Sequence, residues 1–520
     1  MDEEIRQQAP TTDESGTAQK KFVKNIAIVL ISNIISMLSG ILIGFIIPKI
    51  MGVTEYGYYK TFTLYSSYIG ILHFGFIDGI YLKFAGKKYE DLDKAKFRTY
   101  TRFLFIMEFF ASLVALGAAF FFIGTNYFLI ILFVSLNILA TNVITYFEFI
   151  SQITMRFKRT TARNVIRCTL NILSVTTLYL LWRFNDTVIY NYVYVVITLS
   201  ITYILAIWYI LTYRDLVFGK GNKFRDEKGE LKYFFKVGVP LLLANLIGQI
   251  LFVVDQQFVN LAFSNDTYAV YAFAYNMINL ITVATSAISV VLYPTLKTLN
   301  AESITRNYSK INAYLLIFVA LCLAVYYPLV LIVTQYLPKY VDALPIFLII
   351  LPGVLISSSI AVVKYNCYKT FNKINNYFIK SLIILCIAIL ADLAVYFIFG
   401  TTQSISIVSI GVLFIWYIVV EAYFIRAYKV SWLRNLLYVV LILGGFYGIS
   451  FIPSIYGAFG AYIGYYAIVT LALYFNEIKG ILTKLKNRKA KSAVEKSDTA
   501  QVETELQETD QDGTQGEQAQ

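Results

Sequence analysis

Apolar runs of about 20 residues recur along nearly the whole of this 520-residue chain, and no other feature constrains its fold as much. Each run is long enough to cross a hydrocarbon core of about 30 Å as an α-helix. The strict alternation that marks transmembrane β-strands does not occur in them. Charged residues make up only 15% of the chain, against about 25% in soluble domains. The sequence therefore predicts an all-α polytopic membrane protein.

The apolar runs predict about fourteen spans, and an even number places both chain ends on one side of the membrane. The spans, numbered in chain order, are 26–50, 57–83, 99–123, 126–150, 164–183, 188–212, 236–262, 267–296, 311–335, 341–366, 378–399, 402–425, 435–453 and 456–476.

The connections between spans fall into two sets. One set is rich in Lys and Arg, as in 84–98, 151–163 and 213–235, and defines the basic-loop end of the spans. The other set, such as GTNY and SNDT, is short and poor in basic residues, and defines the short-loop end. Because basic loops stay in the cytoplasm, we expect both termini there. Segments 1–19 and 477–520 are polar, the latter basic and then acidic, and are predicted to be disordered cytoplasmic ends.

Composition also argues against several chemical functions. The net charge of +12 could suggest a nucleic-acid partner. The basic loops of a membrane protein account for this charge, so no nucleic-acid partner is expected. The four cysteines show no CxxC spacing, and a single histidine, His73, serves the chain. We therefore expect no metal site, no Ser/His triad and no enzymatic activity.

The long basic connection 213–235 divides the first twelve spans into two sets of six. One constant offset superimposes three polar residues of the first half on identical residues of the second: Asn33 on Asn245, Tyr56 on Tyr268 and Tyr59 on Tyr271. Because six spans separate the equivalents, the halves enter the membrane in the same direction, which is a parallel repeat. The predicted organisation is a bundle over 20–212, a linker, a bundle over 236–425, and two further helices within 426–476.

Polar residues at membrane depth are candidates for a cavity. Asn245, Gln249, Gln256 and Asn260 fall within about 60° on span 7 if that span is one helix. Asn33 on span 1, and Tyr271 and Tyr275 on span 8, extend the pattern. Such stripes also arise from ordinary hydrogen bonding between helices, but stripes on corresponding spans of both halves favour a shared substrate cavity.

Charged residues within the spans are the second group of candidates, because a charge at the bilayer centre is costly. Glu108 and Asp255 lie deep enough to indicate ion coupling or a buried ion pair, whereas Asp392 could equally belong to a structural pair. Lys60 lies at the short-loop end, where the positive-inside rule disfavours a lysine.

Charged residues close to the basic-loop end have a simpler explanation. Arg102, Arg167, Lys364, Lys380 and Glu421 are near enough to that surface to reach the headgroups. Asp78 is predicted to be a gate residue that pairs with Arg102, and His73 a packed residue.

Three stretches then resemble a known family: IPKIMGVTEYGYYKTFTLYSSYIGIL, FGFIDGIYLKFAGKKYEDLD and VPLLLANLIGQILFVVDQQFVNLAFSNDTYAVYAFAYN. They are similar to Wzx-type bacterial polysaccharide flippases of the multidrug/oligosaccharidyl-lipid/polysaccharide (MOP) exporter superfamily, which share a MATE-like fold. The resemblance implies two six-helix bundles arranged in a V, with a cavity lined by spans 1, 2, 7 and 8. It also implies alternating access, in which an undecaprenyl-diphosphate-linked oligosaccharide moves from the inner to the outer leaflet of a bacterial plasma membrane. Such a flippase serves capsule or exopolysaccharide assembly, and its expected partners are membrane lipids and other assembly proteins.

The resemblance also implies roles for the charged candidates. Lys60, Arg102 and Arg167 would meet the diphosphate or an acidic sugar, since Lys and Arg bind phosphate. Asp255 and Glu108 would couple transport to H⁺ or Na⁺, with no other cofactor.

Three alternatives remain. A MATE-type multidrug/cation antiporter has the same fold but would favour an acidic cavity. Lipid II and teichoic-acid flippases belong to the same superfamily. A glycosyltransferase or polymerase would need larger loops at the short-loop end, and no GxxxxGK[ST] phosphate-binding sequence indicates direct use of ATP.

Overall fold

The computed structural model describes residues 35–185, 189–297 and 299–479. None of these residues forms a β-strand, which confirms the predicted all-α class. The chain divides into two compact units, Met1–Trp432 and Leu433–Gln520.

The helices of the first unit follow one another closely along the chain. They are α1 (Ile35–Ile50), α2 (Val53–Ser66), α3 (Phe76–Phe84), α4 (Lys94–Ala119), α5 (Tyr127–Ile153), α6 (Phe157–Asn185), α7 (Asn191–Thr212), the single turn α8 (Arg214–Val217), α9 (Phe224–Leu251), α10 (Val254–Ala262), α11 (Asn265–Lys297), α12 (Ala301–Cys322), α13 (Tyr326–Tyr336), α14 (Ala343–Ile350), α15 (Gly353–Ser358), α16 (Tyr365–Thr370), α17 (Ile374–Phe399) and α18 (Thr402–Tyr428).

The second unit contains two described helices, α19 (Leu433–Ile449) and α20 (Ile455–Lys479). Polar contacts join them along their length: Tyr474 donates to Asn435 at 2.6 Å, and the hydroxyls of Tyr438 and Thr470 lie 2.9 Å apart. Hydrogen bonds of this kind hold helices together where lipid provides no hydrophobic driving force.

Each of the fourteen predicted spans has a helical counterpart, although residues 26–34 of span 1 lie outside the described part. Among the described residues, nine helices are long and apolar enough to cross a membrane. A tenth span arises if α14 and the helix from Gly353 to Thr370, bent by 43°, form one span. Pro352 lies at that bend, where its ring and missing N–H interrupt helical hydrogen bonding.

Two spans predicted as continuous helices are broken. Span 2 divides into α2 and α3, separated by a 3₁₀ turn over Ile69–His73 and by left-handed backbone at Phe74 and Gly75, with φ of 48° and 77°. Span 7 divides into α9 and α10 at Phe252 and Val253. Asp255 lies in the first turn of α10 and accepts a hydrogen bond from the Gln256 N–H at 2.8 Å. A carboxylate therefore lies at the N-terminus of the helix that follows the break, where the helix dipole favours negative charge. The single polar stripe predicted along span 7 is therefore wrong as a continuous helical face.

The predicted linker 213–235 is shorter than expected, because residues 224–235 are the first turns of α9. The compact unit Met1–Trp432 includes this linker, and the division of the chain falls instead between Trp432 and Leu433.

Buried apolar side chains join α3, α4, α5, α7 and α9 at the basic-loop end. Phe76, Tyr100, Phe147, Tyr209 and Phe234 are all 0% exposed. The backbones of α3 and α9 meet directly there, since a Cβ on Gly238 would lie 1.8 Å from the carbonyl oxygen of Gly75. Only glycine permits such an approach.

A second buried cluster corrects the expectation that Lys364 and Glu421 reach the membrane surface. Lys364 is the last residue of a π-helical segment, Ser359–Lys364, and is 0% exposed. Its ammonium lies 2.9 Å from the Glu421 carboxylate and donates to the Ser359 hydroxyl at 2.7 Å. Pairing of this kind compensates for the desolvation of both charges. Lys380, by contrast, donates to the Val419 carbonyl at 3.2 Å.

Candidate functional site

A cavity of about 280 Å³ lies between α1, α2 and α11. Its polar lining combines one cation, tyrosines, hydroxyls and amides: Lys60, Tyr56, Tyr59, Ser36, Thr63, Asn276 and Asn279. No carboxylate is among the lining residues in the part of the chain that the structure describes. The resemblance predicted a cavity between spans 1, 2, 7 and 8, and three of these four spans line the observed cavity.

Lys60 supplies the positive charge of this cavity. Its ammonium donates to the Asn276 side-chain oxygen at 3.1 Å, and lies 5.2 Å and 5.8 Å from the ring centroids of Tyr56 and Tyr59. None of the ion pairs formed by the described residues includes Lys60. An ammonium group that contacts only an uncharged amide and two aromatic rings keeps its positive charge available to an anion.

The polar residues predicted on span 7 lie elsewhere. Asn260 donates to the Thr61 hydroxyl at 2.8 Å and accepts from Tyr65, so it joins α10 to α2. Asn245 accepts a hydrogen bond from the Tyr365 hydroxyl. Gln249 is exposed and Gln256 half-buried, and neither lines the cavity. Asn33 lies outside the described residues.

The predicted arginines also lie away from the cavity lining. Arg102 is exposed and donates to the carbonyl of Gly219, so the structure does not bring it to Asp78. Arg167 is half-buried one turn beyond Arg163, which pairs with Glu148.

A second, smaller cavity of about 20 Å³ lies at the break between α9 and α10. Asp255 and Asp392, which are 2% and 1% exposed, line it together with Tyr275 and Ser409. The hydroxyls of Tyr271, at 2.8 Å, and Tyr275 donate to one oxygen of Asp255. Tyr271 and Tyr275 therefore hold this carboxylate rather than line the larger cavity.

Asp392 has a buried oxygen, Oδ2, without a hydrogen-bond partner in the described part of the chain. No lysine or arginine among the described residues forms an ion pair with Asp255 or Asp392. Two desolvated carboxylates without a basic partner need a proton or a metal cation, because an unpaired buried charge is costly. A volume of this size is enough for one water or one ion.

The carboxylates of the first half lie around the break in span 2. Glu108 is 0% exposed and accepts from the Asn142 amide at 2.6 Å, and the same amide nitrogen lies 3.3 Å from the carbonyl of Ile69. Asp78 lies 3.7 Å from the Nδ1 atom of His73, which accepts from the Gly75 N–H at 3.2 Å. His73 is buried, as its packed role requires.

Two of the decisive contacts were not predicted. Asn276 belongs to the polar residues of span 8, but nothing in its spacing distinguishes it from its neighbours as the partner of Lys60. Asp392 has no polar residues at helical spacing around it, and its proximity to Asp255 comes from the packing of α17 against α10. Long-range packing of this kind leaves no local signal.

Comparisons with known proteins bear on the fold and the family. A solved structure described as the lipid II flippase MurJ in an inward closed conformation matches with a TM-score of 0.61 at 14% identity, over 88% of this chain and 100% of that chain. At this identity the match establishes the fold alone. A search of the curated proteins gives no match.

The family described as polysaccharide biosynthesis protein matches residues 22–300, more than half of the chain. Together with the MurJ fold, this match confirms the resemblance to Wzx-type members of the MOP superfamily. This multi-pass membrane protein belongs to the polysaccharide biosynthesis protein family.

Proposed function

We propose that this protein is a flippase, which moves an undecaprenyl-diphosphate-linked oligosaccharide from the inner to the outer leaflet of the bacterial plasma membrane by alternating access. The observation that carries the proposal is the cavity around Lys60. A cation without a carboxylate partner, flanked by tyrosines and amides, suits an anionic headgroup that also presents sugar hydroxyls. The basic-loop end is the cytoplasmic end in this proposal, with both termini on that side.

The lining of the cavity favours this substrate over a cationic drug. A MATE-type antiporter for organic cations needs negative charge where its substrate binds, and the 280 Å³ cavity has none in its lining. The two aspartates line a volume of about 20 Å³, which is too small for a drug molecule. Lipid II and teichoic-acid flippases remain alternatives within the superfamily, because all of these substrates carry an anionic phosphate linkage.

Transport is coupled, in this proposal, to H⁺ or Na⁺ at the Asp255–Asp392 cavity. The Tyr271 and Tyr275 hydroxyls orient one carboxylate, and the partnerless oxygen of Asp392 completes a ligand set of oxygen atoms. Glu108 and Asp78 remain gate candidates, because both lie at the break in span 2. The activity is transport rather than catalysis, and other polysaccharide-assembly proteins and membrane lipids are its proposed partners.

The substrate site is tested by complementation of a strain that lacks its own polysaccharide flippase. Wild type and Lys60→Arg should restore surface polysaccharide, whereas Lys60→Ala should reduce it at least about tenfold, because a charge-assisted contact is lost. Lys49→Ala is the matched control, since Lys49 donates to the Tyr336 carbonyl at 2.6 Å and does not line the cavity. Full restoration by Lys60→Ala would contradict the proposed site. Export of cationic dyes without restored glycan would establish the antiporter alternative.

The ion site is tested by the thermal stability of the purified protein in NaCl and in choline chloride, at several pH values. Wild type should be stabilised by Na⁺, by low pH, or by both, because either cation binds the folded state selectively. Asp392→Asn should remove this dependence. Stability that is independent of both Na⁺ and pH in the wild type would refute the coupling site.

A further inference from the structure

Two lysines converge on one tyrosine ring at the basic-loop end of the first unit. Lys297 ends α11 and Lys369 lies in α16, and their ammonium groups are 6.0 Å and 4.3 Å from the centroid of Tyr293. Lys369 also lies 5.2 Å from the ring of Tyr365, whose hydroxyl donates to Asn245 of α9. The two cations and two tyrosines thus form one cluster, contributed by helices far apart in sequence.

This cluster differs from a group of basic residues at the same end that have carboxylate partners. Lys83, Lys94, Lys96 and Arg156 each form an ion pair with a carboxylate. Within the described residues, none of the ion pairs includes Lys297 or Lys369. Tyr293 and Tyr365 are both half-buried, Lys369 is half-buried and Lys297 is exposed, so the cluster is accessible.

A simpler explanation accounts for each lysine separately. Cations are favoured at helix C-termini by the helix dipole, and basic residues are common at the cytoplasmic membrane surface. Neither effect explains why two like charges lie near one aromatic ring without an acidic partner among the described residues, since like charges repel. A dianionic ligand that binds both ammonium groups removes this repulsion.

The cluster also lies close to a contact between the two halves of the first unit. Tyr365 donates a hydrogen bond to Asn245 of α9, and α9 packs against the start of α3, where a Cβ on Gly238 would lie 1.8 Å from the carbonyl oxygen of Gly75. Because α3 belongs to the first half of the unit and α9, α11 and α16 to the second, the cluster lies beside the region where the halves meet. A ligand bound there stands at the basic-loop mouth of the space between them.

We propose that Lys297 and Lys369, which both lie near Tyr293, form an entry site for a diphosphate or phosphate dianion at the basic-loop end, separate from the Lys60 cavity. This inference rests on the proposed function, because it takes the diphosphate of the carried lipid as the ligand. The site receives the headgroup before the bundles open the path to Lys60. Anionic bilayer lipids offer similar phosphate chemistry, and the test separates the two sources.

Native mass spectrometry of the purified full-length protein tests the site with three probes: inorganic pyrophosphate, a short polyprenyl diphosphate and phosphatidylglycerol. For these binding measurements each protein also carries Lys60→Ala, so that the Lys60 cavity does not contribute. We expect the double variant Lys297→Gln/Lys369→Gln to bind the two diphosphates at least about tenfold more weakly than the Lys60→Ala protein alone, with phosphatidylglycerol unchanged. The charge-preserving variant Lys297→Arg/Lys369→Arg should retain binding. Lys373→Gln is the matched control, an exposed lysine in the connection that follows α16.

Two results would overturn the inference. One is undiminished diphosphate binding by the double glutamine variant. The other is an equal loss of phosphatidylglycerol and diphosphate binding, which would identify a general lipid-contact surface. Complementation keeps this test separate from the proposed function. If Lys60→Ala abolishes surface glycan while the double variant binds diphosphate and exports glycan normally, the entry site fails and the flippase stands. If wild type restores no glycan in any host, the proposed function itself fails.

Discussion

The two halves of span 2 meet the second half of the first unit in opposite ways. The short-loop half, α2, makes contacts through polar side chains: Thr61 with Asn260, and Lys60 with Asn276. The basic-loop half, α3, packs its backbone against α9, with Phe76 in ring contact with Phe234 and Phe235. Beyond this packing, Lys83 of α3 and Lys96 of α4 pair with Glu230 of α9, at 3.0 Å and 2.9 Å.

The two kinds of contact suit different tasks within span 2. Polar side chains can exchange their partners for water or for a sugar headgroup, which suits a surface that also lines the cavity. A close backbone contact between glycines has no such substitute and depends on shape alone. We expect the α3–α9 contact to be the more sensitive to added volume and the α2 contacts to be the more tolerant.

The largest expected effect is at Gly238. A methyl group added by Gly238→Ala would lie 1.8 Å from the carbonyl oxygen of Gly75, so α3 and α9 must separate. Overpacking of this kind costs about 3 kcal/mol, and we expect a fall in melting temperature together with loss of glycan export. Gly229→Ala is the control in the same helix, since nothing lies within 4 Å of its added Cβ. Equal stability and export in the two variants would show that the contact is not a tight one.

A cross-link distinguishes a closing contact from a static one. The double variant Lys83→Cys/Glu230→Cys replaces residues whose long side chains meet with their charged atoms 3.0 Å apart, and a short cleavable bifunctional thiol reagent bridges the gap that the shorter cysteines leave. If α3 and α9 separate during transport, cross-linking with this reagent should stop export, and reductive cleavage of the reagent should restore it. Export that continues after complete cross-linking would show that this contact persists throughout the cycle.

Loss of the Glu230 charge should have a smaller effect. Glu230→Gln weakens contacts with Lys83, Lys96 and Tyr100, and we expect a loss of about 1 kcal/mol because these side chains are partly exposed. The difference from wild type should shrink in high salt, which screens such charges. Glu90→Gln serves as a control, since Glu90 pairs with Arg156 while 72% exposed. A difference that grows with salt would contradict the electrostatic explanation.

The polar contact of α2 should change stability less still. Thr61→Val removes the acceptor of the Asn260 amide while it preserves side-chain shape. Hydrogen bonds between membrane helices contribute about 0.6 kcal/mol on average, so the melting temperature should fall only slightly. A loss as large as that of Gly238→Ala would invalidate the contrast between the two halves.

The smallest effect concerns a surface contact beside α3 and depends on pH. Burial raises the pKa of Asp215, but the hydrogen bond from Tyr89 and the Lys94 ammonium at 3.3 Å lower it by more, so its pKa lies below the usual value. The stabilisation is present above the unfolded-state pKa of about 3.9 and is lost as pH falls through the lower folded-state pKa. Asp215→Asn should therefore cost less than about 0.5 kcal/mol at pH 7 and nothing once the pH is below the folded-state pKa of Asp215. Thermal melts of wild type and Asp215→Asn between pH 7 and the folded-state pKa measure this difference in stability. A difference that grows towards low pH would contradict a lowered pKa for Asp215.

Residue patterns predicted the candidate site unevenly. Lys60 could be found because its position violates the positive-inside rule, and Asp255 because a carboxylate is costly in an apolar helix. Arg102 and Arg167 were grouped with Lys60 on charge alone, but neither lines its cavity, since Arg102 reaches a connecting loop instead. Charge at membrane depth indicates that a residue needs a partner, but it does not identify that partner.

The sequence by itself determined the class of the protein. Hydrophobic length, loop charge and the motifs of spans 1, 2 and 7 suffice for an all-α membrane protein of a polysaccharide biosynthesis family, because these signals are local and each span must satisfy its own backbone. Only the tertiary structure decided where spans 2 and 7 break, that Asp392 joins Asp255, that Asn276 holds Lys60, and that Lys297 and Lys369 share Tyr293. Each of these is a contact between helices distant in sequence, and it depends on how neighbouring helices pack rather than on the pattern within any one of them.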